Sequence, residues 1–226
     1  MKTRICPSIL NADRDNLRHE IERIEPEADW LHLDIMDGHF VPTTTFTFEE
    51  SIKIISETSL PVDTHLMIAN PDEVAKEYAI AGSKSVTFHV EASKTPIQTL
   101  QSIRAHGSRS AVAIKPTTVV DVLFDLLDYA DMFLIMTVEP GAGGQKYMLD
   151  MAPKIRTLRD LISHNKLPTW IQVDGGISLE TIAHAASAGA DSFVAGSAVY
   201  NAADPAAMIA ELRDLADISL RDTLFS

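Results

Sequence analysis

WLHLDIMDGHF, residues 30–40, predicts a β-strand whose two faces differ in chemistry. Leu31 and Leu33 lie on one face, because side chains alternate along a strand. His32 and Asp34 lie on the other face, although the segment has the apolar pattern of a buried strand. A buried polar group without a partner costs several kcal/mol. We therefore expect the fold to bring partners from elsewhere in the chain to this imidazole and this carboxylate.

Strand-like and helix-like segments alternate along the whole chain. Short apolar runs predict eight strands, and a helical pattern follows each of them. The strand segments are RICPSIL, WLHLDIM, VDTHLMI, SVTFHV, SAVAIK, MFLIMTV, WIQVDG and SFVAG. The helical segments fall near residues 13–26, 46–58, 71–81, 96–107, 119–128, 148–165, 178–188 and 205–216. Eight such units predict an α/β fold, a single (β/α)8 TIM barrel that forms one domain over residues 1–226.

The composition favours a soluble protein that binds a small molecule. The chain has 226 residues, of which 46% are hydrophobic, enough to form one large core. Its single cysteine, Cys6, excludes an internal disulfide, fits a reducing compartment and is expected to be buried. No run resembles a signal peptide or a membrane span, so we expect a cytoplasmic location. A net charge of −13 argues against nucleic acid or an anionic membrane as partner.

Parity along the strands predicts a metal site. In a parallel barrel one face of each strand packs on helices and the other faces the barrel interior. The face of His32 and Asp34 corresponds to Asp63 and His65 on the third strand and to Asp174 on the seventh. Such barrels form their active sites at the carboxyl ends of the strands. His32, Asp34, His65 and Asp174 could thus hold one divalent ion, Fe²⁺, Zn²⁺, Mn²⁺ or Co²⁺. The alternative is a core histidine satisfied by a neighbouring acid.

Two glycine-containing turns predict a phosphate site at the same rim of the barrel. Gly175 and Gly176 follow the seventh strand, and Gly196 and Ser197 follow the eighth. Glycine lets backbone N–H groups approach an anion closely, and barrels of this type often bind phosphate with these two loops. A phosphorylated substrate is therefore expected. The alternative is that the glycines only permit tight turns. A further glycine-rich segment, residues 139–145, could move over a ligand.

Seven motifs distributed along the chain resemble those of the ribulose-phosphate 3-epimerase family. They occur in family order at the strand ends: PSILNAD (7–13), LHLDIMDGHFVP (31–42), HLMIANP (65–71), TFHVEAS (87–93), MTVEPGAGGQK (136–146), VDGG (173–176) and AGSAVY (195–200). The resemblance implies a metal-dependent epimerase of the pentose phosphate pathway. Such an enzyme converts D-ribulose 5-phosphate to D-xylulose 5-phosphate by proton transfer at C3 through a 2,3-enediolate. The resemblance also implies a homo-oligomer.

The same resemblance implies roles for individual residues. Asp34 and Asp174 would be the two acid/base groups, besides being metal ligands with His32 and His65. The implied substrate-binding residues are Ser8, His65, Gly141, Ala142, Gly143, Gly144, Asp174, Gly175, Gly176, Gly196 and Ser197. Met36, Met67 and Met136 would line the reacting centre. We expect His89, at the end of the fourth strand, to give structural support only.

Three positions depart from the family pattern. Thr43 and Thr47 stand where the family commonly has asparagine and glycine, and Ala142 stands where it commonly has phenylalanine. None of these changes removes a metal ligand or a proposed base, so they bear mainly on which substrate is preferred. One alternative is accordingly a 3-epimerase for another ketose phosphate, such as allulose 6-phosphate.

Two further alternatives involve different chemistry. Lys115, at the end of the fifth strand, could form a Schiff base with a carbonyl substrate in an aldolase. The chain could instead be a catalytically inactive sugar-phosphate binding protein. The presence of two carboxylates with two histidines argues against that second alternative, because binding alone requires no pair of bases.

Overall fold

Eight parallel strands form a nearly closed barrel in the computed structural model, which describes residues 2–224. In chain order they are β1 (Arg4–Pro7), β2 (Leu31–Met36), β3 (Val62–Met67), β4 (Ser85–His89), β5 (Arg109–Ile114), β6 (Met132–Met136), β7 (Trp170–Asp174) and β8 (Ser192–Ala195). Each strand from β2 to β7 pairs with the next one along the chain, and β8 pairs with β1. The predicted α/β barrel is confirmed.

Helices occupy most of the connections between strands. They are α1 (Leu17–Ile24), α2 (Phe48–Glu57), α3 (Pro71–Ile80), α4 (Pro96–Ala105), α5 (Ala152–His164), α6 (Ile182–Ser187), α7 (Ser197–Tyr200) and α8 (Pro205–Leu224). α7 is a short extra helix directly after β8, and α8 continues well past the predicted end at residue 216. Within residues 2–224, no helix combines the length and the apolar character that crossing a membrane requires.

The segment after β5 is not the α-helix that the sequence predicted for residues 119–128. It is a 3-10 helix, Val120–Leu126. Its buried side chains are Val120, Leu123 and Leu126, which recur every three residues and so match the three residues per turn of a 3-10 helix. No side chain caps its first turn. The sequence correctly predicted a helical segment here, but its buried residues recur with the period of the tighter 3-10 helix.

The two faces of β2 have different surroundings, as the alternation predicts. Leu31, Leu33 and Ile35 are at most 4% exposed and belong to the main apolar core, which also contains buried residues of the helices. Met36 belongs instead to a small separate cluster that includes Met67 of β3. The main core therefore lies between the strands and the helices, and the other face of β2 is left for the barrel interior.

The barrel closes between β1 and β2 at the position where polar residues begin. A single parallel bridge joins Ser8, directly after β1, to His32 of β2. At the start of the two strands, the backbone N of Ile5 donates to the Asp29 carboxylate, and Asp29 N donates to Ile5 O. This closure brings Ser8 next to the polar face of β2.

The connection after β2 is fastened to the strand end through Thr45. Its Oγ1 donates to the carbonyl oxygen of Asp34 at 2.6 Å and accepts from the backbone N of Met36 at 2.9 Å. The carboxylate of Asp37 accepts from the backbone N of Ala69, after β3, at 2.8 Å. These bonds hold the carboxyl ends of β2 and β3 in place.

We predict that Thr45→Val lowers the free energy of unfolding by about 1–3 kcal/mol, because the isosteric side chain leaves two backbone groups at the end of β2 without their partner. Urea unfolding followed by circular dichroism measures this change. Thr44→Val is the matched control, since Thr44 is an exposed threonine of the same connection. Equal stability of the two variants would contradict the role given to Thr45.

Candidate active site

Four ligand-type side chains converge in the barrel interior. His32 and Asp34 come from β2, His65 comes from β3, and Asp174 ends β7; one donor atom from each lies within 4.8 Å of all the others. We call these four residues the His/Asp cluster. The pairing of β2 with β3 sets Asp34 directly beside His65. Asp174 is the most exposed of the four, with 16% of its side chain accessible, so the cluster is open on one side.

The two carboxylates and two imidazoles of the cluster are in mutual contact. Asp34 Oδ1 lies 3.3 Å from His32 Nε2 and 3.2 Å from His65 Nδ1. Asp174 Oδ2 lies 3.5 Å from His65 Nδ1 and 3.9 Å from His32 Nε2. Ser8 Oγ donates to the second oxygen of Asp34 at 2.5 Å. Asp34 is therefore the central group of the cluster.

The buried charges of the cluster shift each other's pKa values. Burial opposes the charged form of Asp34, but His32 and His65 outweigh it and hold the pKa of Asp34 well below its ordinary value. Burial also opposes a charged imidazole, yet Asp34 raises the pKa of His32, and Asp174 together with Asp34 raises the pKa of His65. Ionised carboxylates thus require positive charge beside them, which a proton or a metal cation can supply.

The donor set of the cluster fits a divalent cation. His32 Nε2 is buried and has no hydrogen-bond partner among residues 2–224, although it faces Asp34. A metal ion between this nitrogen and the two carboxylates would give all three groups a partner. Nitrogen and oxygen donors suit first-row divalent ions. The cluster can therefore hold such an ion.

Asp63 supports the cluster from the neighbouring position on β3. Its Oδ2 lies 3.0 Å from His32 Nδ1 and accepts from Gln172 Nε2 at 2.8 Å. Burial works against a charged Asp63, but the hydrogen bond from His32 lowers the pKa of Asp63. The sequence placed Asp63 on the interior face and indicated no role for it. Pairing across β2 and β3, which sets it opposite His32, supplies that role.

His89 and Glu91 extend the same network beyond His65. His89 is fully buried, its Nε2 lies 3.0 Å from His65 Nε2, and its Nδ1 lies 3.2 Å from Glu91 Oε2. Burial lowers the pKa of His89 to about 4 despite the opposing effect of Glu91. The sequence indicated only structural support for His89 and nothing for Glu91, because contact between β3 and β4 is not visible in the spacing along the chain.

A pocket that opens to solvent lies above the cluster at the carboxyl ends of the strands. Its walls bring together nearly all the predicted site residues: Ser8, Asp34, Met36, Met67, Met136, Gly141, Ala142, Gly143, Gly144, Asp174, Gly175, Gly176, Gly196 and Ser197. His32 and His65 do not line it, because both lie fully buried beneath its floor.

The backbone conformation and the packing after β7 explain why residues 175 and 176 are glycines. Gly175 has φ of +120°, and a Cβ there would lie 2.4 Å from Val138 Cγ2. Gly176 has φ of +67°, and a Cβ there would lie 2.4 Å from the backbone N of Tyr147. The loops after β6 and β7 thus pack directly on each other. This packing by itself accounts for glycine at both positions, so phosphate binding there stays a prediction.

The three departures from the family pattern fall in different places. Thr43 Oγ1 donates to the carbonyl oxygen of Gly141 at 2.7 Å and so joins the loop after β2 to the loop after β6. Ala142 lines the pocket. Thr47 does not; it begins α2 with a capping box, in which its Oγ1 accepts from Glu50 N and its own N donates to the Glu50 carboxylate.

Lys115, the nucleophile of the alternative aldolase, lies outside the pocket lining. Its Nζ is 3.9 Å from the centroid of the Phe40 ring, and its backbone N donates to Glu91 Oε1 at 2.7 Å. A cation over an aromatic face is held there by the electrostatic attraction of the ring. The structure gives no support to Schiff-base chemistry at this residue.

Known proteins resemble this chain over nearly its whole length. A model of the Ribulose-phosphate 3 epimerase family matches residues 4–200. Ribulose-phosphate 3-epimerase of Mycobacterium bovis is 46% identical over 209 residues, which cover 92% of this chain and 91% of the relative. The cytoplasmic isoform of ribulose-phosphate 3-epimerase of Oryza sativa subsp. japonica is 44% identical over 216 residues, covering 93% and 92% of the two chains.

Solved structures with lower sequence identity share the fold. 3-Hexulose-6-phosphate synthase from Salmonella typhimurium has a TM-score of 0.65 at 20% identity and covers 97% of this chain and 99% of its own. KGPDC from Streptococcus mutans has a TM-score of 0.68 at 14% identity, with coverage of 96% and 99%. These two similarities concern the barrel fold alone.

We predict that Gly176→Ala lowers the free energy of unfolding by about 1–3 kcal/mol, because the methyl group meets backbone of the loop after β6 in a strained conformation. Gly107→Ala is the matched control, since Gly107 also has a positive φ, of +86°, but has no atom within 4 Å of the added carbon. Denaturant unfolding of both variants separates the close approach from the backbone strain. A cost at Gly176 no greater than that at Gly107 would contradict the tight packing of the two loops.

Proposed function

Because the chain belongs to the ribulose-phosphate 3-epimerase family, we propose that it interconverts D-ribulose 5-phosphate and D-xylulose 5-phosphate. The observation that carries this proposal is the meeting of Asp34 and Asp174, from opposite parts of the strand order, in the floor of one pocket. Inversion of a carbon centre needs two groups that can each take or give a proton. The cluster supplies two such groups within reach of one small molecule.

The reaction requires proton transfer on both faces of the C3 carbon. One carboxylate removes the C3 proton, the electron pair of the broken C–H bond moves into the C2–C3 bond, and the C2 carbonyl oxygen becomes negative. The other carboxyl group then delivers a proton to the opposite face of C3, and the carbonyl forms again. Asp34 and Asp174 take these two roles and exchange them for the reverse reaction. Neither group has to move between the two faces.

His32, Asp34, His65 and Asp174 would hold one divalent ion, Fe²⁺, Zn²⁺, Mn²⁺ or Co²⁺, which would stabilise negative charge on the sugar oxygens. Ser8 donates to Asp34 and so orients one of the two acid/base groups. Met36, Met67 and Met136 line the pocket next to the cluster. Their thioether side chains exclude water and provide no competing proton donor at the reacting carbon.

The phosphate end of the substrate would lie at the glycine-rich rim of the pocket. Residues 141–144, Gly175 and Gly176, and Gly196 and Ser197 line that rim. Short loops after the seventh and eighth strands, followed by a short extra helix, are a frequent phosphate site in these barrels. α7 begins at Ser197 and supplies such a helix. Backbone donors suit this protein, whose net charge of −13 offers an anion no general attraction.

We further propose that residues 1–226 form one catalytic domain, that the protein is cytoplasmic and that it assembles into a homo-oligomer. The match to relatives of similar length supports the first of these points. A relative named as a cytoplasmic isoform supports the second. The single cysteine, buried and free, is in keeping with a reducing compartment.

A 3-epimerase for a longer ketose phosphate, such as allulose 6-phosphate, is a second candidate. The observation that favours it is Ala142, which lines the pocket where the family commonly has a phenylalanine. A methyl group leaves more room than an aromatic ring at the rim. Thr43, which contacts the same loop at Gly141, also departs from the family pattern.

We predict that the purified protein forms xylulose 5-phosphate from ribulose 5-phosphate in a coupled assay. A chelator should abolish the activity, and Fe²⁺ or Zn²⁺ should restore it, because the cluster needs positive charge between its carboxylates. Allulose 6-phosphate, assayed in parallel, should give a lower kcat/KM. A higher value for allulose 6-phosphate would favour the second candidate. Full activity after complete removal of metal would contradict the metal site.

We predict that Asp174→Asn folds but loses about 10²–10⁴-fold in turnover, because an amide can neither accept nor deliver the proton. In D₂O the wild-type enzyme should incorporate deuterium at C3 during epimerisation. The variant should form the epimer more slowly by that same factor, and its metal content should be measured alongside. Asp121→Asn, at an exposed position after β5, is the control for the loss of one charge. Near-normal turnover of Asp174→Asn would contradict its role.

A further inference from the structure

Each imidazole of the His/Asp cluster has one nitrogen that faces the cluster and one that faces away from it. The outward nitrogen of His32 is Nδ1, which lies 3.0 Å from the Asp63 carboxylate. A carboxylate can only accept a hydrogen bond, so the proton of a neutral His32 stays on Nδ1 and Nε2 presents its lone pair to the cluster. The outward nitrogen of His65 meets no carboxylate of residues 2–224. It meets His89, which can donate or accept.

We propose that Glu91, acting through His89, fixes the tautomer of His65 that binds the metal ion. Glu91 and His89 are then positioning residues for that ion and do not touch substrate. This inference rests on the proposed function, because it concerns the metal ion proposed there.

Glu91 determines which atoms donate in the hydrogen bonds that lead to His65. Its Oε1 accepts from the backbone N of Lys115 at 2.7 Å and from Thr118 Oγ1 at 2.5 Å. Its Oε2 lies 3.2 Å from His89 Nδ1. An ionised carboxylate accepts at both oxygens, so the proton of His89 resides on Nδ1. The contacts with the loop after β5 hold Glu91 in this position whether or not the cluster carries a metal ion.

The tautomer of His65 follows from that of His89. A neutral His89 with its proton on Nδ1 has a bare Nε2, which lies 3.0 Å from His65 Nε2. One proton is needed between these two nitrogens, and only His65 can supply it. His65 Nδ1 is then left with its lone pair. That atom lies 3.2 Å from Asp34 Oδ1 and 3.5 Å from Asp174 Oδ2, inside the cluster.

The contact between His65 and His89 is shielded from water, whereas Glu91 lies at the surface. Both His65 and His89 are 0% exposed. The Phe40 ring covers His89, with 4.8 Å between the ring centroids, and Lys115 Nζ lies over the Phe40 ring in turn, 3.9 Å from its centroid. A water molecule could satisfy either tautomer of His65. Its exclusion leaves Glu91 to decide which one is present.

Glu91→Gln tests the proposal with a nearly isosteric change. The backbone N–H of Lys115 stays in place and needs an acceptor, so the introduced amide turns its oxygen to Lys115 and its NH₂ to His89 Nδ1. His89 Nδ1 then accepts, His89 Nε2 donates to His65 Nε2, and the proton of His65 moves to Nδ1. The metal-free variant should then bind Zn²⁺ and Co²⁺ about 10–100-fold more weakly than metal-free wild type, measured by competition with a chromophoric chelator. At saturating metal, kcat should return towards the wild-type value with KM unchanged, which a general loss of structure would prevent.

Three further variants separate the tautomer from charge and folding. His89→Leu keeps the charge of Glu91 but removes the acceptor for His65, so the same loss of metal affinity is expected. His89→Gln retains an acceptor at that position and should keep most of the affinity. Glu180→Gln removes the same charge from an exposed position after β7, and metal affinity should be unchanged. Circular dichroism of each variant confirms folding, and the two His89 variants decide the question if Glu91→Gln does not fold.

The two proposals can fail separately. Wild-type protein that binds neither ion would overturn the metal site of the proposed function, and the inference with it. Wild-type binding with unchanged affinity in Glu91→Gln and His89→Leu would overturn only the role of Glu91 and His89. Equal loss in His89→Gln and His89→Leu would also overturn it, since the acceptor at residue 89 would then make no difference.

Discussion

The burial of the Asp34 carboxylate is the constraint on which the arrangement of the site depends. Asp34 is 3% exposed, and an ion at that depth is tolerated only with opposite charge and hydrogen bonds around it. Its partners come from three strands or strand ends: Ser8 after β1, His32 from β2 itself and His65 from β3. The closure of the barrel between β1 and β2, through the bridge at Ser8, is what completes this shell.

A second layer of carboxylates lies behind the imidazoles of the cluster. Asp63 holds His32 directly, and Glu91 reaches His65 through His89. Hydrogen bonds in a low-dielectric interior strengthen one another, and a network of them favours one arrangement of protons. The layer therefore contributes geometry as well as stability. Asp34 and Asp174 are the cluster residues that line the pocket, where we propose that proton transfer takes place.

The loops above the cluster serve a different purpose from the strands below it. The strands fix the His/Asp cluster through a regular register, whereas the loops after β2, β6 and β7 form the rim by packing on one another. Gly176 lies against the backbone of Tyr147, and Thr43 is bonded to Gly141. Since loops can vary without disturbing the barrel, we expect the departures at Thr43 and Ala142 to bear on the choice of substrate; both leave the His/Asp cluster unchanged.

The alternation along each strand is a local property, so the sequence by itself determined the barrel, the interior face of β2 and the convergence of His32, Asp34, His65 and Asp174. The sequence also located the glycine-rich rim, because glycine marks turns without reference to the rest of the chain. Contacts between strands depend on register and on side-chain direction, and these exist only in the folded barrel. Tertiary structure alone therefore decided that Asp63 supports His32, that His89 meets His65, and that residues 120–126 wind as a 3-10 helix. The capping box of Thr47 is local, since Glu50 follows three residues later, but the position of Thr47 outside the pocket was decided by the fold. Pairing across strands and packing between loops bring together residues that the chain keeps far apart.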